Sequence, residues 1–84
     1  MKIEITFDGP KRDANKAKHD LDFADLTVAF FEQAVVIEAK DDRLMAIGWF
    51  AGDIVAVVFR PLGNEALAVI SMRPASRKER RILE

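Results

Sequence analysis

Ile3, Ile5 and Phe7 alternate with Lys2, Glu4 and Thr6, the two-residue period of a half-buried strand. Asp8-Gly9-Pro10 breaks it, and Pro10 suits the first position of a helix, where its missing N–H is not needed. The helix is expected to run to about His19. Its inner face is thin, mainly Ala14 and Ala17, while Lys11, Asn15 and Lys18 form a polar stripe with His19 beside it. Asp22 reads as the N-cap of a second helix, with Asp25 completing an approximate capping box and Phe23, Leu26 and Phe30 on one core-facing side. A second strand starts at residues 34–37 and closes in the polar Lys40-Asp41-Asp42 loop. Residues 43–50 and 54–60 form two more strands, joined through Ala51-Gly52-Asp53 as a β-hairpin. After the turn Pro61-Leu62-Gly63-Asn64, a fifth strand covers about residues 66–72, Pro74 ends it, and residues 75–83 favour helix.

The order β-α-α-β-β-β-β-α predicts an α+β fold. It consists of a mostly antiparallel sheet of about five strands, two N-terminal helices packed on it and a short C-terminal helix. The fourth strand is apolar on both faces, with Val55, Val57 and Phe59 pointing one way and Ile54, Ala56 and Val58 the other. Antiparallel sheets usually leave one face wet, so the second face here needs a cover. The C-terminal helix is expected to supply part of it and a partner chain the rest.

Composition narrows the function. The 84 residues, half of them hydrophobic and including six Phe and one Trp, suit one small domain over residues 1–84 with a modest core. The absence of Cys excludes disulfides and thiolate metal sites, and one His cannot build a zinc site alone, so no metal or cofactor is expected. No apolar run is long enough to span a bilayer and no signal-type segment opens the chain, so a cytoplasmic protein without a membrane partner is expected.

The net charge of −1 hides an asymmetry. Lys11, Arg12, Lys16 and Lys18 make the first helix basic, and residues 20–42 are strongly acidic. The tail after Ser71 is basic again, with Arg73, Arg77, Lys78, Arg80 and Arg81 against Glu79 and Glu84. Such a cluster at the exit of a sheet can hold a phosphate, or it can be the solvated face of a terminal helix. The near-neutral total argues against non-specific DNA binding by the chain itself.

Three spaced patterns carry a resemblance. They are Asp8-x-x-Lys11-x-x-x-Asn15-x-x-Lys18-His19 followed by Phe23; Arg43 ahead of Ile47-Gly48 and Gly52; and Ile70-Ser71-x-Arg73-x-Ala75-Ser76-x-x-Glu79-Arg80. Together they resemble the BrnT family of type II toxins, small ribonucleases with a RelE-like fold, over nearly the whole chain. The resemblance implies a metal-independent endoribonuclease that inhibits translation. It also implies a cognate antitoxin, usually of ribbon-helix-helix, BrnA-like type, through which alone the complex would meet operator DNA, as a dimer or toxin–antitoxin heterotetramer. Two departures set a second reading beside it: Ala68 stands where the family often has Arg, and Leu83 where it often has Tyr. That second reading is a catalytically degenerate homologue acting as an antitoxin-binding module in operon autorepression.

Metal-free RNA cleavage uses the neighbouring 2′-OH as nucleophile and needs proton transfer and positive charge at the phosphate. On the resemblance, His19, Arg73, Glu79 and Arg80 are the candidate catalytic residues, and Lys11, Asn15, Lys18, Arg43, Ser71 and Arg77 the candidate RNA-binding ones. Arginine's planar fork matches two phosphate oxygens. Imidazole titrates near neutrality and suits acid or base work, although a His at a helix end can equally cap carbonyls. Glu79 is open to a base role, to orienting Arg80 and Arg43, or to an ordinary ion pair. Of Trp49 and Phe50, alternate faces leave one for the core and one for stacking or partner contact.

Overall fold

The computed structural model describes residues 3–84, so Lys2 of the first predicted strand lies outside the described residues. The strands are β1 (Glu4–Phe7), β2 (Val35–Glu38), β3 (Leu44–Phe50), β4 (Asp53–Leu62) and β5 (Ala66–Pro74); the helices are α1 (Gly9–His19), α2 (Val28–Gln33) and α3 (Arg77–Leu83). They form one five-stranded sheet in the order β1-β5-β4-β3-β2. The meander β2 to β5 is antiparallel as expected, while β1 joins the far edge parallel to β5, making the sheet mixed. Among the described residues, no helix is long and apolar enough to cross a membrane.

Local chemistry fixes the boundaries. Asp8 caps α1 by accepting the Lys11 N–H at 3.1 Å. Basic Lys16, Lys18 and His19 fill its last turn, where the helix dipole favours them, and Asp20 ends it in the left-handed region. Ala51 and Gly52, at φ 50° and 84°, form the two-residue turn between β3 and β4, the twist such hairpins prefer.

The predicted second helix divides. Asp22 caps only a 3₁₀ turn at Phe23–Asp25, Leu26 is extended, and Thr27 caps α2 through Phe30 N–H at 3.3 Å. The break still sends Phe23, Leu26 and Phe30 into the core.

The main core lies between these segments and one sheet face, where Phe23, Leu26 and Phe30 meet Ala46, Val55, Val57, Phe59, Val69 and Met72. The other face carries a smaller cluster of Ile47, Ile54 and Ala56, over which α3 lays Leu83 and the segment before it lays Ala75. The expected cover from the C-terminal helix is therefore present. Trp49, on that side, remains 55% exposed, whereas Phe50 packs against the main core.

β5 is irregular in a way that matters for the site. Val58 pairs with Ser71 and Phe59 with Val69, so Ile70 is an extra residue in a β-bulge. Leu67 and Val69 before the bulge and Met72 after it all face the main core. Ser71 and Arg73 consequently look to the opposite face, alongside Val58 and Ala56.

Candidate functional site

β1 pairs with β5 only as far as Phe7 and Val69. Beyond that point α1 takes the place of a strand along β5. Asn15, 8% exposed, makes the join. Its Nδ2 donates to Met72 O at 2.8 Å and to Leu21 O at 3.1 Å, while its Oδ1 accepts from Met72 N at 3.0 Å. One side-chain amide thus satisfies both backbone groups that a continuing β1 would have paired.

This corrects the expected face of α1. Ala14 and Ala17 are exposed and Asn15 points inward, because an amide that completes the sheet edge gains more there than alanine would. Both amide hydrogens of Asn15 are spent on backbone, so it has none to offer RNA.

Between α1 and β5 runs a groove of about 270 Å³, lined by Lys11, Lys18, His19, Ile70 and Ser71, with Asn15 at its base. The structure therefore gathers most of the expected RNA-binding set around His19. His19 is half-buried, and its imidazole makes no hydrogen bond among the described residues, so it is not spent as a carbonyl cap. Arg73 stands two positions along the same face from Ser71, roughly 7 Å by strand geometry.

The tail residues are held differently from the expectation. Arg73 makes a two-pronged pair with Glu79, Nη1 to Oε1 at 2.7 Å and Nη2 to Oε2 at 2.8 Å. Glu79 Oε1 also accepts the Ser76 N–H at 2.8 Å, and Ser76 Oγ returns a bond to the Glu79 N–H, a full capping box at the start of α3. The Arg73 hydrogen bond, helped by Ser76 against the cost of burial, brings the Glu79 carboxyl down to about 2. Glu79 is thus ion-paired, and its partner is Arg73 rather than Arg80 or Arg43.

Arg80 bonds Asp53 at 2.9 Å on the β3–β4 hairpin, holding the carboxyl below its usual range together with the stronger Ile54 N–H bond. It ties α3 down and is directed at the hairpin. Arg77 is exposed on α3.

Arg43 forms none of the ion pairs among the described residues, despite its acidic neighbours Asp41 and Asp42. It lines a second cleft, beside Lys11 and a residue that sequence reasoning passed over, Arg60. Arg60 read as the mere end of a strand; its position opposite Ala68 is visible only in the register. Among the described residues, no cluster of three or more His, Asp or Glu side chains forms a metal-ligand set.

Comparisons with known proteins add to this geometry. A family model described as "Ribonuclease toxin, BrnT, of type II toxin-antitoxin system" matches residues 7–79. The crystal structure of the Brucella abortus ribonuclease toxin, BrnT, is similar at 58% sequence identity and a TM-score of 0.84, covering 90% of this chain and 100% of that one. No curated protein sequence matches significantly.

Proposed function

The chain belongs to the BrnT family of type II ribonuclease toxins, and from that membership we propose that it is a cytoplasmic endoribonuclease that cuts RNA in the groove between α1 and β5. It blocks translation in this way and is silenced by a cognate antitoxin of ribbon-helix-helix type, which supplies any contact with operator DNA. The observation that carries the reading is the groove itself: an imidazole without an internal partner, flanked by two lysines and a serine, beside a strand arginine.

His19 takes the proton from the ribose 2′-OH. The 2′-oxygen attacks phosphorus, the bond to the 5′-oxygen breaks, and the Lys18 ammonium protonates the leaving oxygen. The products are a 2′,3′-cyclic phosphate and a 5′-OH, and the scheme uses no metal. Arg73 keeps its Nε–H and one Nη2–H outside its internal bonds, and these are available to the charge that grows on the phosphoryl oxygens. Glu79 and Arg80 act as supports, fixing Arg73 and α3 rather than touching RNA.

The test is cleavage of a single-stranded RNA by purified protein, with 2′,3′-cyclic ends scored on the products. His19→Ala is expected to slow it by ~10²–10⁴-fold, the usual weight of a placed proton-transfer group. Undiminished cleavage by that variant would remove His19 from the mechanism. Because Glu79 and Arg80 are committed to internal pairs, a non-catalytic antitoxin-binding module is the second reading. Normal growth on expression of wild type at high soluble yield, with capture of a ribbon-helix-helix protein encoded next to it, would select that module.

A further inference from the structure

The chain treats its cations unequally. Arg12, Arg73 and Arg80 each have a carboxylate at 2.7 to 2.9 Å. Lys11, Arg43 and Arg60 have none among the described residues, and these three line one open cleft of about 300 Å³ at the β1–α1 junction. The carboxylate that shares the cleft, Asp8, already accepts the Lys11 backbone N–H as the cap of α1. Arg43 Nε is buried without any hydrogen-bond partner, an expensive state for a charged donor unless something completes it.

The sheet register explains how the cleft is built. Thr6 pairs with Ala68 and Ala68 with Arg60, so a hydroxyl, a methyl group and a guanidinium lie side by side across β1, β5 and β4. Arg43 stands just before Leu44, which pairs with Phe59, the neighbour of Arg60. The small Ala68 leaves the floor open. Lys11 and Ile70 line both this cleft and the His19 groove, so the two adjoin across these residues.

We propose that this cleft is a second phosphate subsite, in which Arg43 and Arg60 hold a backbone phosphodiester of single-stranded RNA next to the one at His19, with Lys11 between them. This rests on the ribonuclease reading above and extends it by naming where the substrate strand runs. Arg60 is then a binding residue outside the reacting atoms.

The test uses fluorescence anisotropy with 2′-O-methylated RNA oligonucleotides of increasing length, which bind without being cut. For wild type, adding the nucleotide that brings in the second phosphate should tighten binding by about tenfold. Arg60→Gln should abolish that step and lower the salt-dependence slope by about 0.7, the loss of one single-strand phosphate contact. Lys16→Ala removes the same charge from the part of α1 near Asp22 and should leave both quantities unchanged. An Arg60→Gln protein with the length step and slope of wild type overturns the subsite while leaving RNA cleavage by wild type intact. Inorganic phosphate that displaces the oligonucleotide step at low concentration, with no gain from chain length, assigns the cleft to a free anion and also overturns it. Wild type that neither binds nor cuts RNA overturns the parent reading and this one together.

Discussion

Replacing Asn15 with leucine deletes the amide that completes the edge of β5 while keeping a side chain of similar size. Three hydrogen bonds go with it, at 2.8, 3.0 and 3.1 Å. The N–H and C=O of Met72, a residue with no exposed surface, then have no partner and no access to water. Each buried backbone group left unpaired costs ~1–3 kcal/mol. Leucine recovers one methylene's worth of burial, roughly 1 kcal/mol. The net expectation is a loss of ~1–5 kcal/mol, a large share of the ~5–15 kcal/mol that holds a domain together. Urea unfolding followed by linear extrapolation measures it, with the midpoint falling and the slope unchanged. The melting temperature should drop by roughly 4–40 °C at ~4–8 °C per kcal/mol. Asn15→Asp keeps an acceptor for Met72 N–H but faces a carboxylate toward two carbonyl oxygens, and should be no better. Hydrogen exchange at the Met72 amide gives the local readout, since its protection should collapse before the rest of β5. An Asn15→Leu protein within 0.5 kcal/mol of wild type, with the Met72 amide still protected, would refute the bridging role.

Two further perturbations test the frame. A Cβ at Gly48 would lie 2.5 Å from Gln33 Nε2, 3.1 Å from Ala34 Cβ and 3.2 Å from Phe30 Cε1, so Gly48→Ala should cost ~1–3 kcal/mol by calorimetry as α2 is pushed off β3. The Glu79 carboxyl drops from 4.5 to about 2 on folding, so its contribution is full above 4.5 and is lost as the pH falls toward 2. That drop corresponds to roughly 3 kcal/mol, discounted to ~1–2 kcal/mol for solvent screening around Arg73. Glu79→Gln should therefore be less stable than wild type by that amount at pH 7, and the two stability curves should meet near pH 2. Parallel curves over that range would refute the pair's role.

How much of this could be read from the chain depends on how local each signal is. Hydrophobic alternation, the Asp22 cap and the Ala51-Gly52-Asp53 turn are encoded within a few residues, and the element order followed from them, whereas the Asp8 and Ser76 caps emerge with the structure. The parallel docking of β1 on β5 joins Phe7 to Val69 and has no local signature. Asn15 reads as an ordinary polar helix residue, because its partner Met72 is remote in sequence. Thr27 divides the second helix with a cap that a capping-box reading centred on Asp22 overlooks. The Lys11, Asn15 and Lys18 stripe of the first helix was legible because helix periodicity placed it on one side, whereas Ser71, on β5, was joined to it only through the resemblance. The pairing of Arg73 with Glu79 was not, since it depends on how α3 folds back over the sheet.

The bulge at Ile70 links these observations. Strict alternation from Leu67 would put Val69, Ser71 and Arg73 on a single side, the side of the main core, where an arginine without its carboxylate costs several kcal/mol. One extra residue turns Ser71 and Arg73 to the opposite face and gives the core Met72 instead. It falls directly after Val69, the last residue of β5 paired to β1, which is also where α1 replaces a strand at the sheet edge. A bulge bends its strand and increases its twist. The second half of β5 is thereby freed from the line of β1, and the space beside it is the groove that Lys18 and His19 line. The same residue that re-aims Ser71 and Arg73 thus forms a wall of both clefts, so strand register, core packing and the placing of phosphate-binding groups are set together at one position.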